Sequence, residues 1–491
     1  MNAVVLTPPL LSQKGDILGS GIPFWPLEAA YTAGELRAQG HAVTVIDGFG
    51  EAPKRKWEYR GKYTVQGLPP EEMAARIPAG TDLVAISTGA SASANSTSSY
   101  SLSLELVRLA KKRAPCVIVS GVLATHYYAD FLKAGADYVT LGEPDEALME
   151  LASGIGASRA KELDGVAFMK GGKLHVRPKT AFIQNLDALP FPAFDLFPLE
   201  SYWSLGYAHG PIRGKYLPIL ASRGCPYACA FCAVPALSQG KWRPRSVENV
   251  VDEMEFHVKR FCVSDFHFED YNPTFDMQRT VELCKEILRR GLKITWKLAA
   301  GSKAERLDGE MLEWMRKAGC DYISISPESG SPDVLKLMNK PFDYGHGIAV
   351  VKKMNELGIS SQACFVLGFP GETDGDLKKT REYITRLAHA GLDEIALFIM
   401  TPLPGSEAMA NGTWEYGEVE ELTFSPKWRK EYGKLSKART GLYLHFLAVK
   451  ARSHPGKLAR NAYNVLRRSY ETKMEMTAAR AFTLMRPRLW G

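Results

Sequence analysis

The chain has 491 residues, enough for about three domains of ordinary size. At 45% hydrophobic and 23% charged its composition is that of a soluble globular protein, which excludes disorder, collagen and coiled coil; no apolar run approaches the roughly 18 residues of a membrane span. The net charge of +7 is unevenly spread, because residues 427–491 hold 16 Lys/Arg against 3 Asp/Glu and residues 1–426 hold 45 against 51, so any attraction to anionic surfaces belongs to the tail.

The start, Met1-Asn2-Ala3-Val4-Val5-Leu6-Thr7, has no basic residues ahead of its apolar run and reads as a strand, not a signal peptide. Further short apolar runs follow at Val43–Asp47, Leu83–Ser87, Cys116–Ser120 and Tyr138–Leu141. Helical patterns intervene at Leu27–Gln39, Leu102–Lys112 and Ala129–Ala134. Apolar strands alternating with helices indicate a parallel sheet covered on both faces, a doubly wound (Rossmann-like) α/β domain over 1–155 that binds ligands at the carboxyl ends of its strands. Thr7-Pro8-Pro9-Leu10 stands where a G-x-G-x-x-G would follow the first strand, which disfavours a nicotinamide or flavin dinucleotide.

Residues 156–215 read as a packed linker. Gly165–Met169 and Leu174–Arg177 flank Lys170-Gly171-Gly172-Lys173 as a hairpin, and Leu189-Pro190-Phe191-Pro192-Ala193-Phe194 resists regular structure. A second alternating series spans 216–405, with strands expected at Tyr216–Ser222, Cys262–Phe268, Ile294–Leu298, Tyr322–Ser326, Ala363–Leu367 and Glu394–Met400. Helices are expected at 247–260, 276–289, 309–318, 343–357 and 374–390, the last capped by Thr373 with Asp376. Six β/α units predict a barrel or partial barrel with its site on the loops after the strands.

One such loop, after the first barrel strand, reads Arg223-Gly224-Cys225-Pro226-Tyr227-Ala228-Cys229-Ala230-Phe231-Cys232. Three thiolates spaced C-x3-C-x2-C can ligate three irons of a cubic iron–sulfur cluster and leave the fourth open to a substrate. Zinc is the rival ligand, but a structural zinc wants four donors, and no His or further Cys follows at close spacing. Cys116, Cys262, Cys284, Cys320 and Cys364 are dispersed and read as core residues, and eight cysteines so distributed fit a reducing, cytoplasmic setting.

The loop resembles the signature of the radical S-adenosylmethionine (SAM) superfamily, and the six units are similar to its (β/α)6 partial barrel. The resemblance implies a 4Fe-4S cluster on Cys225, Cys229 and Cys232 whose open iron chelates SAM, and reductive cleavage to a 5′-deoxyadenosyl radical by an electron from a donor such as flavodoxin or ferredoxin. It also implies SAM contacts at Phe231; at Asn272 in Phe268-Glu269-Asp270-Tyr271-Asn272; at Ser326 and Glu328 in Ser326-Pro327-Glu328-Ser329-Gly330-Ser331; and at Gly368 and Glu372 in Leu367-Gly368-Phe369-Pro370-Gly371-Glu372. Pro327 departs from the usual glycine–aliphatic pair before the glutamate. His267, Asp270 and Tyr271 are the weak candidates for action on the substrate, with structural hydrogen bonding the equal alternative.

A doubly wound domain ahead of this barrel resembles the cobalamin-binding class of the superfamily, carried also by Phe24-Trp25-Pro26-Leu27-Glu28-Ala29-Ala30 and Leu141-Gly142-Glu143-Pro144. The resemblance places cobalamin against Ser87, Thr88, Gly89, Ser120, Gly121 and Gly142. No D-x-H-x-x-G stands in Lys14-Gly15-Asp16-Ile17-Leu18-Gly19, so no histidine from this loop is expected on cobalt. Methylthiotransferases place three more cysteines before the barrel, whereas only Cys116 precedes this loop. The implied activity is C-methylation of an unactivated carbon in a small or amphipathic substrate of lipid or natural-product type. Cyclisation, rearrangement or oxidation without methyl transfer is the alternative, and a non-catalytic cobalamin or cluster sensor a further one.

Residues 406–491 read as a basic helical segment. Leu442–Leu447 and Leu458–Leu466 are flanked by Arg439, Lys450, Arg452, Arg460, Arg467 and Arg468. Helices packed on the barrel with solvated basic faces are the plain expectation, and peripheral contact with an anionic membrane surface is the sharper one. No RNA-binding module is visible, and no nucleic acid is expected.

Overall fold

The computed structural model describes residues 1–16, 22–89, 99–154 and 162–485. Ile17–Gly19, of the loop that lacks a D-x-H-x-x-G, and the expected domain boundary at 155/156 lie outside the described residues.

The front sheet contains β1 (Asn2–Thr7), β2 (Ala42–Asp47), β3 (Leu83–Ser87), β4 (Cys116–Ser120) and β5 (Tyr138–Thr140), all parallel, in the order 2-1-3-4-5. β3 is buried along its whole length, as a strand covered by helices on both faces must be. In this order the topological switch, the usual ligand position of a doubly wound sheet, falls between β1 and β3.

The hairpin of β6 (Val166–Lys170) and β7 (Lys173–Arg177) does not belong to a linker. β6 pairs antiparallel with β5 and extends the front sheet to seven strands, which corrects the 156–215 boundary: Val166, Ala167 and Phe168 are buried where the strand meets β5 and the helix Tyr128–Ala134. The proline-rich stretch after it packs tightly, with Ala193 and Phe194 buried and Ala193 N–H donating to Ala30 O at 2.9 Å in α1 (Leu27–Ala38). A three-stranded antiparallel sheet of Leu10–Gln13, Tyr63–Gln66 and Lys56–Tyr59 was not anticipated from the sequence.

The second sheet holds six parallel strands in chain order: β8 (Tyr216–Ile219), β9 (Asp265–Phe268), β10 (Thr295–Ser302), β11 (Cys320–Glu328), β12 (Ser360–Leu367) and β13 (Glu394–Ile399). β8 and β13 do not pair, so the barrel is open on one side. The five outer helices lie at Val247–Phe261, Met277–Arg289, Gly309–Lys317, Tyr344–Leu357 and Asp374–His389; the last carries the expected capping box of Thr373 and Asp376.

The basic tail is part of this body. Helices α2 (Pro332–Leu337), α3 (Tyr432–Ser453), α4 (Pro455–Arg467) and α5 (Lys473–Met485) include three from the tail. α3 packs on the outer helix Asp374–His389 and on β13, with Tyr443 Oη accepting from Leu397 N–H at 3.1 Å. Lys450, fully buried, donates to Asp393 O at 2.6 Å and Asn461 Oδ1 at 2.7 Å. The start of α5 then reaches the open side of the barrel. Glu394 of β13 accepts the N–H groups of Lys473 and Met474, and Arg213, just before β8, donates to Tyr470 O at 3.2 Å. Part of the tail's positive charge is therefore spent inside the fold. Among the described residues no helix is long and apolar enough to cross a membrane.

Of the five dispersed cysteines, Cys284 and Cys320 are buried, Cys116 and Cys364 half-buried and Cys262 exposed. Cys262 is not a core residue: it caps a helix in the left-handed conformation (φ +56°).

Candidate active site

β8 ends at Ile219, and the chain turns through Leu220 and Ala221 into the cysteine loop. Asp270, just after β9, fixes this turn by accepting Ala221 N–H at 3.0 Å and Ser222 Oγ–H at 2.6 Å. It is fully buried, and burial pushes its carboxyl up to about 6. Asp270 therefore positions the loop and does not face a substrate. Gly224 follows at φ +81°, and a Cβ there would stand 2.0 Å from Lys241 O; only glycine fits where the loop passes the backbone of Lys241.

Cys225, Cys229 and Cys232 are free and half-buried on this loop, with Cys232 N–H donating to Cys229 O at 3.1 Å. Burial raises all three thiols, Cys232 to about 12. Among the described residues no three His, Cys, Asp or Glu side chains converge on one point as a single metal ion requires. A cubic cluster asks for something else, since each thiolate binds its own iron, and cluster binding would displace the thiol protons.

The segments after the other strands face the same end of the barrel. Asn272 is 2% exposed, and its Nδ2 has no hydrogen-bond partner. Glu372 accepts from Gly368 N–H with one oxygen and leaves Oε1 unpartnered, and burial pushes it up to about 7. These two orphaned polar atoms suit a polar ligand. Glu328 ends β11 at φ +63° after a break in pairing register, beyond Pro327, and is ion-paired with buried Lys340. Ser326 is half-buried on the same strand, and Phe231 lies 5.8 Å (ring centroid) from the Lys340 ammonium. At Gly368 the space of a Cβ is filled by Leu435 of α3, so its glycine serves packing of the tail.

Between the strand ends of the front sheet and the cysteine loop lies a cavity of about 80 Å³ that opens to solvent through a wider mouth. The front domain lines it with Glu28, Gly142 and Asp145, and the barrel with Arg223, Glu269 and Tyr271. Ser87 and Ser120 do not project into it as free hydroxyls: both donate to Glu28 Oε1, at 3.0 and 2.9 Å, and burial pushes Glu28 up to about 7. Thr88 Oγ–H donates to Ser120 O at 2.7 Å, and Gly121 and Gly89 sit against it. The sequence reading found the two serines but missed Glu28 between them and the cavity, because a glutamate in a first helical turn reads as a cap. Arg223 joins the two domains, pairing with Asp145 at 2.6 Å next to the first cluster cysteine, and holds that carboxyl well below its usual range against the cost of burial.

The lumen of the barrel holds a second polar group. His209 Nδ1 lies 3.0 Å from both oxygens of Glu269, and its Nε2 lies 3.4 Å from Lys473 Nζ, which donates to Ala299 O at 2.7 Å. Lys473 as donor leaves Nε2 the acceptor, so the ring presents Nδ1–H to Glu269. His209, Lys473 and Cys364 are each half-buried, and burial lowers the titration of His209 and Lys473 from their ordinary values. None of these was anticipated as a site residue. His267 lies below them, buried, stacked on Tyr216 at 4.7 Å and 3.3 Å from Asp265, which also holds Lys297. It belongs to the structural floor; of the three candidates, Tyr271 lines the cavity between the front domain and the barrel.

A family model described as the Radical SAM superfamily matches residues 219–384. An uncharacterized methyltransferase of Pyrococcus horikoshii is 26% identical over 88% of this chain and 86% of its own length. The cytidylyl-2-hydroxyethylphosphonate methyltransferase of Streptomyces wedmorensis is 26% identical over 82% and 80%. An anaerobic magnesium-protoporphyrin IX monomethyl ester cyclase of Cereibacter sphaeroides is 25% identical over 82% and 62%. Among solved structures, the radical SAM methyltransferase TsrM of Kitasatospora setae, with cobalamin and a [4Fe-4S] cluster bound, superposes with a TM-score of 0.64 at 17% identity, over 83% of this chain and 74% of its own. With its three-cysteine loop on a six-stranded open barrel, the chain carries a Radical SAM superfamily domain over residues 219–384, and it shares the overall fold of a radical SAM methyltransferase solved with cobalamin bound.

Proposed function

We propose that the protein is a cobalamin-dependent radical SAM methyltransferase acting on an unactivated carbon of a small or amphipathic substrate. The observation that carries the reading is this cavity, which lies between the carboxyl ends of the front sheet and the start of the cysteine loop. A group held by the front domain there faces whatever the cysteines hold. The names of two relatives as methyltransferases support the same reaction.

The residues divide the work by position. Cys225, Cys229 and Cys232 would hold the cluster, with Asp270 and Gly224 fixing the course of their loop. Asn272, Glu328 and Glu372 would orient SAM, two of them with unpartnered polar atoms. Glu28, held by Ser87 and Ser120, would face cobalamin along with Gly142 and Tyr271. The bound groups supply one-electron cleavage of SAM and a carrier for the methyl group. Glu269, His209 and Lys473 would border the substrate in the lumen and hold its polar groups.

Cyclisation, rearrangement or oxidation without methyl transfer is the second reading. It is favoured by the relative named a cyclase and by the Glu269–His209–Lys473 chain, which can accept and pass a proton. Reconstituted enzyme given methyl-deuterated SAM and cell extract decides between them. Methyl transfer yields a deuterium-labelled product with both 5′-deoxyadenosine and S-adenosylhomocysteine; deoxyadenosine without homocysteine product supports the second reading. A cytoplasmic setting with peripheral contact to anionic lipid through α3 and α4 is part of the proposal, supported by exposed Leu444 and Leu466 among exposed arginines.

A further inference from the structure

After α4 the tail returns to the barrel and is fixed there by its backbone. Arg213 donates to Tyr470 O, Glu394 accepts the N–H groups of Lys473 and Met474, and Glu475 accepts those of Glu471 and Thr472 at 2.5 and 3.1 Å. Lys473 therefore enters at the open side, between β8 and β13. Its ammonium donates to Ala299 O of β10 at 2.7 Å, where the pairing register with β11 shifts, and lies 3.4 Å from His209 Nε2. β10 is the third strand of six, so the side chain has crossed the lumen to reach it. His209 links the ammonium to Glu269, which lines the cavity between the front domain and the barrel. Phe24 of the front domain packs on the same imidazole, with ring centroids 4.6 Å apart.

No ion pair balances the charge at that point. A lysine ammonium has three N–H donors. Two of them meet neutral acceptors, a carbonyl and an imidazole nitrogen, and among the described residues no carboxylate lies within 4.0 Å of Lys473 Nζ. Glu269 directs both oxygens to His209 Nδ1, and Glu394 accepts from two backbone N–H groups, Tyr322 and Gln362. Lys297 and Lys340, also buried in the barrel, each meet a carboxylate, Asp265 at 2.7 Å and Glu328 at 2.5 Å. A charge taken out of water is costly unless it is paired. Lys473 is half-buried, so one N–H and a unit positive charge stay open to a ligand in the lumen. Water can take the N–H but not the charge; an oxyanion takes both, in a short charge-assisted hydrogen bond.

We infer that Lys473 is a substrate-binding residue that receives a carboxylate or phosphoryl group, so that the substrate is an organic anion; this deepens the proposed function and rests on the lumen holding the substrate. The tail then supplies part of the substrate site, and His209, set between Glu269 and Phe24, keeps the ammonium aimed.

Trace reductive methylation of reconstituted full-length protein, read lysine by lysine by peptide mass spectrometry with exposed Lys437 as the reference, measures how open the Lys473 amine is. Acetate and methylphosphonate are each compared with chloride at equal ionic strength. At saturation either is expected to slow labelling of Lys473 about tenfold, the worth of one charge-assisted hydrogen bond, and to leave Lys437 unchanged. The more protective of the two identifies the anionic group. Labelling of Lys473 that is absent, or equal in all three salts, overturns the inference. A second arm supplies methyl-deuterated SAM and cell extract split on an anion exchanger, with iron content as the control for loading. Labelled product is expected from the retained fraction, about tenfold less with Lys473→Met and restored with Lys473→Arg. Labelled product from the unretained fraction, or undiminished in Lys473→Met, overturns the inference. Wild-type enzyme that labels nothing in either fraction sinks the methyl-transfer reading instead. In that case, or if Lys473→Met does not fold, protection of Lys473 in the wild type decides.

Discussion

Glu394, the first residue of the last barrel strand, accepts the backbone N–H of Met474 at 2.6 Å and thereby caps a helix 80 residues later in the chain. The same carboxylate accepts from Lys473 N–H at 3.0 Å, Tyr322 Oη–H at 2.6 Å and Gln362 Nε2–H at 3.1 Å. One buried side chain thus ties three barrel strands to the tail helix that covers the barrel's open side.

Replacing Glu394 by Ala strips that cap and leaves the Tyr322 hydroxyl buried without its acceptor. Loss of a cap costs about 1 kcal/mol and an orphaned buried donor about 1–3 kcal/mol. Backbone amides of 473–485 are expected to exchange with deuterium at least tenfold faster in Glu394→Ala than in the wild type. Unchanged exchange would mean that the helix is held by other contacts.

The cysteine loop gives a second expectation. Gly224→Ala pushes a methyl group to within 2.0 Å of Lys241 O at a φ of +81°, a strain on the order of 2 kcal/mol confined to the loop. Reconstituted Gly224→Ala should bind less than half the iron of the wild type while keeping its far-ultraviolet circular dichroism. Substitution of Cys225, Cys229 and Cys232 together by Ala should abolish the iron chromophore; a chromophore that survives removes the cluster assignment.

Much of this arrangement was legible in the sequence, and the rest was not for a physical reason. Strands such as Leu83–Ser87 and Cys116–Ser120 are buried on both faces, so their apolar runs mark them without reference to any partner. The cysteine loop was legible because three thiols on one short turn have few other uses. The hairpin Val166–Arg177 was legible as a hairpin but not as sheet edge, since what it pairs with is a property of a distant strand. Glu28, Lys340 and Lys473 carry no local mark at all. Each sits among residues that read as solvated helix termini, and only the meeting of remote segments buries them.

Glu28 gives a pH dependence. Its folded-state carboxyl sits at about 7 against an ordinary value of 4.5, mainly through burial. A raised value means that the fold favours the protonated form. The stability this contributes is fully present below about pH 4.5 and is lost as pH rises through 7, by roughly 3 kcal/mol in all. Glu28→Gln keeps an oxygen for Ser87 and Ser120 and never ionises. It is therefore expected to match the wild type near pH 4.5 and to be the more stable protein at pH 8. Urea unfolding of both proteins across pH 4.5–8.5 measures this, and a gap independent of pH would refute it.

The tail separates two roles that its composition merges. Lys450 and Lys473 lie inside the fold, whereas Arg452 of α3 and Arg467 of α4 are exposed, as is Leu466, at 83%. Deleting the tail would uncover the barrel's open side and so would not isolate a surface function. The discriminating variant is Arg452→Gln/Arg467→Gln, which leaves the packed face of α3 and α4 intact. Each basic residue near an anionic bilayer contributes about 1 kcal/mol, so this pair should cost roughly 30-fold in binding. In flotation assays the wild type is expected to rise with phosphatidylglycerol vesicles and to remain behind with phosphatidylcholine alone, while the double variant stays behind with both. Raising the salt from 0.15 M to 1 M shortens the screening length from about 8 to 3 Å and should release the wild type as well. Equal flotation of wild type and variant on anionic vesicles would show that these arginines make no such contact.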